Sequence, residues 1–324
     1  MKSHLRRALA ILPFVLSLPA SAADTDFPSK PLRLLVGYAP ASGADVVARV
    51  LAHGLEDTFK QGVIVENKSG AGGALAAQET ARAAPDGYTL MVAAMPQMTI
   101  LPAIGKVPYD VERDFVPVSH VVDTDLVLVT NPERVPSGSM QEFAAWARKQ
   151  PSLFFGTPGP GTVGHFGAFF FADAVGAKVE PIHFRNTGEQ VTALLNGDIH
   201  AEYFSYAAAL PLVKAGKLKA LLTTSPTRSA MFPDVPTSAE AGYPGMQFAS
   251  WYGVFAPAGT PAAVVDRLSA EIIKASKSPA IRTRLEDAGL RVTATGRAEF
   301  SRVLRADIEH WGKAVRATEL GPQK

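Results

Sequence analysis

The sequence predicts an α/β protein of two lobes, each a mostly parallel sheet flanked by helices. Short apolar segments alternate with helix-forming ones along most of the chain, the pattern of parallel strands covered on both faces. The alternation falls into two series, roughly 31–123 and 125–244, and 324 residues with 47% hydrophobic content suffice for two cores of ordinary size. Glycine-rich stretches sit where a strand gives way to a helix.

Leu32–Gly37 (LRLLVG) reads as a buried strand and Asp45–Phe59 as a helix, followed by a strand at Val63–Glu66, a helix at Ala74–Ala84 and a strand at Thr89–Ala93. An irregular stretch follows. Leu126–Thr130 (LVLVT) is the next strand, and Ser139–Lys149 a helix opened by the capping-box pattern Ser139-Met140-Gln141-Glu142. Strands at Leu153–Gly156, Val179–Phe184, Ile199–Tyr206 and Leu218–Thr224 are separated by helices near Val163–Val175, Glu189–Leu195 and Ala207–Ala215. The tail holds one strand, Ala249–Phe255, and long helices at Pro261–Lys277 and Glu299–Arg316, and is expected to return to the first lobe.

The first 23 residues have the composition of a secretory signal: Lys2, Arg6 and Arg7, then the 11-residue apolar run Ala8–Leu18, then Ala20-Ser21-Ala22 before a cleavage site. Cleavage removes three cations and no acid, taking the formal charge from +2 to −1 and leaving no basic excess for nucleic acid. The expected location is the periplasm. The absence of Cys excludes thiol nucleophiles, thiolate metal sites, disulfides and a lipidated N-terminus.

Three loops stand where chemistry is expected: Tyr38-Ala39-Pro40-Ala41-Ser42-Gly43-Ala44-Asp45, Ser69-Gly70-Ala71-Gly72-Gly73, and Gly156-Thr157-Pro158-Gly159-Pro160-Gly161-Thr162-Val163-Gly164-His165. A helix start presents unpaired N–H groups and partial positive charge, and glycine lets an anion approach them closely. Each loop alone is equally a tight strand–helix connection; together, with hydroxyls at Ser42, Thr157 and Thr162, they point to an anion pocket. Gly159–Gly164 also matches the dinucleotide fingerprint GxGxxG, with Glu180 at the distance of a ribose-binding acid. Pro181 after that acid, the mid-chain position and the expected export argue against a nicotinamide cofactor, and no cofactor or metal is expected. No nucleophile–base pair, GxSxG, HExxH or P-loop lysine is present. Asp123 and Asp125 read as solvated acids at the lobe crossover, His53 and His310 as surface residues, and His120, His183 and His200 as satisfied buried rings. His165, at the start of a helix, is open between capping and ligand contact. Met91, Met95 and Met98 read as core or pocket lining.

A further set of motifs carries a family resemblance. It comprises Pro28-Ser29-Lys30-Pro31-Leu32-Arg33, Glu66-Asn67-Lys68-Ser69-Gly70-Ala71-Gly72-Gly73, Ala84-Pro85-Asp86-Gly87-Tyr88-Thr89-Leu90, Asp114-Phe115-Val116-Pro117-Val118, Phe232-Pro233-Asp234-Val235-Pro236-Thr237 and Ala256-Pro257-Ala258-Gly259-Thr260-Pro261. The chain resembles the Bug-type substrate-binding receptors of tripartite tricarboxylate transporters. The resemblance implies a type II-like periplasmic binding fold, with residues 24–124 and 249–324 in the first lobe, 125–248 in the second, and two crossover strands between them. It also implies a monomeric receptor, not an enzyme, that holds a small organic acid in the cleft and serves membrane transporter subunits. The carboxylate would be gripped mainly by backbone N–H groups and hydroxyls.

Carried onto this chain, the first loop supplies Tyr38, Ala41, Ser42, Gly43 and Ala44, with Asp45 as helix cap. The third loop supplies Thr157, Gly161, Thr162 and His165. The chain departs from the family at Ala44, where a hydroxyl is usual, at Ala94-Met95-Pro96, at Phe184-Arg185-Asn186-Thr187 and at Tyr203-Phe204-Ser205-Tyr206. Phe204 replaces an Asp suited to an amine, which argues for an aromatic carboxylate, a planar dicarboxylate of the terephthalate kind, over an aliphatic di- or tricarboxylate such as citrate. Ala94, Met95, Phe204 and Tyr206 would line the pocket, with Arg185 and His165 toward a second carboxylate. Strand alternation allows only one of Tyr203 and Phe204 to face the cleft.

Overall fold

The computed structural model describes residues 27–184 and 186–317, so the expected signal at residues 1–23 and the candidate Arg185 lie outside the described residues. Along the chain run β1 (Leu32–Val36), α1 (Gly43–Phe59), β2 (Val63–Asn67), α2 (Ala74–Ala81), β3 (Thr89–Ala94), α3 (Met95–Met98), α4 (Ile100–Ile104), α5 (Val111–Asp114) and β4 (Phe115–Thr124). Then come β5 (Leu126–Thr130), α6 (Met140–Ala147), β6 (Leu153–Thr157), α7 (Val163–Val175), β7 (Val179–His183), α8 (Thr187–Asn196), β8 (Ala201–Ser205), α9 (Tyr206–Lys214) and β9 (Lys219–Thr223). The chain closes with β10 (Ser250–Pro257), α10 (Ala262–Lys277), α11 (Pro279–Asp287), β11 (Arg291–Gly296) and α12 (Arg297–Arg316).

Two sheets result, ordered β11-β4-β10-β3-β1-β2 and β7-β6-β8-β5-β9. Each contains a parallel trio, β2-β1-β3 and β7-β6-β8, built by the strand–helix alternation. All six residues of β3 (TLMVAA) are buried, as a central strand covered on both faces requires. Above it α1 buries Val47, Ala48, Leu51 and Leu55 and leaves Arg49 and His53 exposed, a helical stripe on the core. The sheets are mixed, because β10 is antiparallel to β3 and β4, and β5 to β8 and β9. These reversed strands follow the crossings. β4 passes into β5 through Asp125 alone, and β10 brings the chain back, so each enters its new sheet directly and needs no covering helix.

The stretch that reads as irregular in the sequence contains α3, α4, α5 and the ten-residue β4. Polar residues interrupt the apolar run that would have marked β4, yet they are satisfied in place: Ser119 Oγ donates to the Thr295 carbonyl (2.8 Å), and His120 Nε2 pairs with Asp123 Oδ1 (2.7 Å). The tail returns to the first sheet through β10 and β11, and α12 packs on β4 and α4. Its far end does something further. Trp311 lies edge-on to Phe166 of α7 (ring centroids 5.4 Å) and beside Phe170 (5.8 Å), so one apolar cluster runs from Met91 and Phe255 in the first sheet to Phe155 and Tyr203 in the second.

Candidate ligand site

Both sheets share one topological feature. The chain leaves β1 for β2 on one side and then crosses to β3 on the other, and it leaves β6 for β7 and then crosses to β8 in the same way. In open α/β sheets the crevice beyond the strand C-termini at such a switch is where ligands are held. The sequence candidates among the described residues all fall, by chain position, at or just beyond those strand ends: the loop after β1, the end of β3, the loop after β6, and the end of β8; the side chains of Met95 and Tyr206 nevertheless turn away from a shared crevice. The short helix α4 joins the glycine loops. A Cβ on Gly72 would stand 3.2 Å from Leu101 Cδ2, and one on Gly161 2.8 Å from Ile104 Cδ1, so both glycines, at positive φ, admit α4. Tyr38 Oη links the first two loops by donating to the Gly72 carbonyl (3.3 Å).

The loop after β1 is held from beneath by Asp45. Its carboxylate accepts from the Ala41 N–H (2.9 Å), Arg49 Nε (2.9 Å) and Asn67 Nδ2 (2.8 Å). Burial pushes this carboxyl upward, but the bonds from Arg49, Asn67 and Ala41 outweigh it and hold the group below its ordinary range. The N-cap is Ser42, whose Oγ accepts from the Asp45 N–H (3.4 Å), so Asp45 is the third residue of α1 and not its cap. The first N–H groups of α1, at Gly43 and Ala44, have no intrahelical acceptor. Ala44 itself is buried, and a Cβ at Gly43 would collide with Tyr252 Oη. Tyr252, paired with Ala94 across β10 and β3, is a wall of this region that the sequence does not single out. Burial raises the pKa of both Tyr38 and Tyr252, which keeps two neutral hydroxyls beside the loop. Met95 is fully buried, and its sulfur accepts from Thr99 Oγ1 (2.9 Å); its side chain belongs to the core.

In the loop after β6 the hydroxyls shape the backbone. Thr162 caps α7, accepting from the His165 N–H (3.3 Å) and donating to the Gly159 carbonyl (2.7 Å). Thr157 Oγ1 pairs with His183 Nδ1 (2.6 Å) and accepts from the Gly159 N–H (3.3 Å). The Gly161 N–H donates to His165 Nδ1 (3.1 Å), which assigns the ring proton to Nε2. Burial, helped by the nearby His183, lowers His165 to about 4, so it is an uncharged ring at neutral pH. His183, expected to be buried, is exposed at the sheet edge.

The end of β8 departs furthest from the sequence reading. Tyr203 and Phe204 point to opposite faces, as alternation demands, yet both are buried. Tyr203 packs on Phe155 and Phe248 and donates to Met246 Sδ (3.3 Å), while Phe204 joins Val127 and Val129. Tyr206 Oη donates to Ser225 Oγ (3.2 Å) and lines a separate cavity with Asp125 and Arg291. The structure therefore does not bring Tyr206 to Thr162. It does bring Thr162 and Phe204 together around a cavity of about 240 Å³, whose wall includes Glu202, a residue the sequence reading passed over. Larger concavities, of about 670 and 630 Å³, contain no residue of the glycine loops.

The crossover acids are not solvated. Asp125 is 2% exposed, and Arg291 Nε and Nη2 reach its two oxygens at 2.7 and 3.1 Å; Nη2 also meets Asp123 (2.7 Å). Arg291 of β11, far away in sequence, thus ties the β4–β5 passage to the tail, which no local pattern announces. Beside it Trp251 Nε1 donates to Asp307 of α12 (2.6 Å).

Comparison with known proteins places this arrangement among relatives. The family model described as the tripartite tricarboxylate transporter family receptor (TctC) matches residues 47–320. Protein BugT of Bordetella pertussis is 33% identical over 97% of this chain and 98% of its own. MatC from Rhodopseudomonas palustris, solved with bound malate, is 31% identical with a TM-score of 0.72, covering 89% of this chain and all of that one. An R. palustris protein solved with adipate is 27% identical with a TM-score of 0.76, covering 90% and 98%. On these grounds the chain belongs to the tripartite tricarboxylate transporter receptor family, a family of solute receptors and not of enzymes.

Proposed function

We propose that this protein is a periplasmic receptor that captures a small organic dicarboxylate between its two sheets and presents it to the membrane subunits of a tripartite tricarboxylate-type transporter. The observation that carries the reading is the convergence of two topological switch points, each with a helix opening beside a glycine loop. The N–H groups at the starts of α1 and α7 are the donors for a carboxylate, and the Ser42 hydroxyl, an acceptor in its cap bond, keeps its own proton to donate. Thr157 and Thr162 act by shaping the loop, since their hydroxyls are already engaged. Two lobes, bounded near Thr124 and Phe248, close around the ligand as a monomer, and the N-terminal leader directs export.

An aliphatic dicarboxylate is the favoured ligand. Met95, Tyr203 and Tyr206, the further apolar or amphipathic candidates beside Phe204, are packed or hydrogen-bonded elsewhere, and two relatives carry malate and adipate. An aromatic dicarboxylate of the terephthalate kind is the second reading, supported by Phe204 on the cavity wall. A thermal-shift panel of malate, adipate, citrate, benzoate and terephthalate tests both. A ligand at a hundred times its dissociation constant should add about 2.7 kcal/mol. Stabilisation by adipate or malate is the expected result. A response to terephthalate alone would favour the second reading, and no response to any acid would overturn the receptor reading.

A further inference from the structure

The wall of the 240 Å³ cavity contains an unusual group. Glu202, in the middle of β8, is 1% exposed, and neither carboxyl oxygen has a hydrogen-bond partner. It lies over Gly156 of β6, where a Cβ would collide with its Oε2, so the neighbouring strand gives up a side chain to admit it. An unpartnered carboxyl in such a place is costly unless it meets something that the cavity receives.

The rest of the wall says what that is. Three helices of nine or more residues begin on it: α7 at Thr162, Val163 and Gly164, α8 at Thr187, and α9 at Ser205. Their N-termini converge as partial positive charges and make the cavity a place for an anion. Among the described residues of the wall the only other titratable side chain is Tyr203, whose hydroxyl is engaged with Met246. The neighbouring elements bring His165 on α7, His183 on β7, Glu189 on α8 and Tyr206 on α9, and none of these lines the cavity; β5 and β6 carry no titratable residue, and Asp173, Glu180 and Lys214 sit toward the opposite ends of their elements. Among the described residues of the wall there is no cation to keep Glu202 ionised.

We infer that this cavity is the subsite for the ligand's second carboxylate, and that Glu202 receives it as a carboxylic acid donating a hydrogen bond from its own O–H. The inference rests on the dicarboxylate reading above and names the residue that selects for the far end of the ligand. An acid O–H bonding a carboxylate is a short, charge-assisted contact, and the helix starts supply the remaining donors. Burial agrees with this role: it pushes Glu202 up to about 8, which keeps the proton in place at neutral pH. The same acid would discriminate against a ligand ending in an alkyl group, which would leave it unpaired.

The test is calorimetric titration of adipate, malate and hexanoate into the wild-type protein and Glu202→Gln between pH 6.5 and pH 9. All three ligands stay ionised throughout, so pH acts on the protein. For the wild type, adipate affinity should fall about tenfold between pH 7 and pH 9 as the acid loses its proton, and binding at pH 8.5 should take up protons, read from buffers of different ionisation enthalpy. Glu202→Gln, which keeps a donor and cannot ionise, should bind adipate with little dependence on pH and no uptake, and hexanoate should bind more weakly than adipate. Adipate binding with the same pH profile in both proteins and no proton uptake in the wild type would overturn the inference and leave the receptor reading standing. Failure of every acid at every pH would overturn both. If Glu202→Gln does not fold, proton uptake by the wild type alone decides.

Discussion

Glu202 also makes a prediction that needs no ligand. Its carboxyl is pushed up to about 8 by burial, whereas in the unfolded chain it titrates near 4.5. Between those values the unfolded state has released the proton and the native state still holds it, so stability falls as pH rises from about 4.5 to about 8; below that window both states are protonated and the penalty vanishes. At pH 7 the difference spans about 2.5 units, or about 3 kcal/mol. Glu202→Gln removes the titration and keeps nearly the same shape, and its amide is left as unpaired as the acid it replaces. The variant should therefore nearly match the wild type at pH 4.5, exceed it by about 3 kcal/mol at pH 7, and gain about a further 1 kcal/mol by pH 8.5. Urea unfolding at the three pH values gives the comparison, with the slope of each curve checked for constancy. A variant less stable than the wild type at every pH would refute the reasoning, because it would mean that Glu202 is ionised and held by the helix starts around it.

Ser42→Ala should remove the cap of α1 at a cost of about 1 kcal/mol, with Ser42→Gly costing a few tenths, and both should weaken dicarboxylate binding beyond their effect on melting temperature. Arg291→Met should leave Asp125 buried without its two hydrogen bonds; because Arg291 is itself about a third exposed, the low end of the range for broken buried pairs applies, about 3 kcal/mol. Burial already raises Asp125 against the opposing pull of Arg291, so this deficit should shrink as acid protonates the orphaned carboxylate, which urea unfolding at pH 7 and pH 5 will reveal. Solution scattering should show a smaller radius of gyration with saturating adipate, the bend falling near Leu126 and Trp251 where the chain crosses between sheets; identical curves would reject hinge closure.

The parts legible in the sequence are those whose cause is local. α7 spans Val163–Val175 as read, because its apolar run, its Thr cap and its terminal glycine lie within one short stretch of chain. The loops after β1 and β6 were legible for the same reason: a hydroxyl, a glycine and a helix start in succession have few other uses. β4 and β11 were not legible, because their polar residues are satisfied by partners up to about 180 positions away, as Ser119 is by Thr295. Arg291 and Asp125 belong to the same class, separated by 166 positions. Tyr252 and Glu202 were missed because each matters through the strand beside it: Tyr252 stands against Gly43 and Ala94, and Glu202 against Gly156.

The same distinction explains why the motifs indicate a receptor class more readily than a ligand. The hydroxyls of Ser42, Thr157 and Thr162 and the carboxylate of Asp45 all bond to the backbone or side chains of the loops themselves. They hold N–H groups in a fixed array, and an array of N–H groups accepts any carboxylate that fits, whatever lies beyond it. Discrimination then falls to groups at the far end of the ligand, where burial is deep and an unpaired polar atom is expensive. Under the subsite proposed above, that end is walled by Glu202 and Phe204, which both line the 240 Å³ cavity and stand two residues apart on β8, on the same face of the sheet. A phenyl ring and an acid side by side suit a ligand with an apolar middle and a polar terminus. A methylene chain ending in carboxylate has that order of groups. A tricarboxylate such as citrate does not, since the hydroxyl and carboxylate on its central carbon would be set against Phe204, so adipate should bind more tightly than citrate.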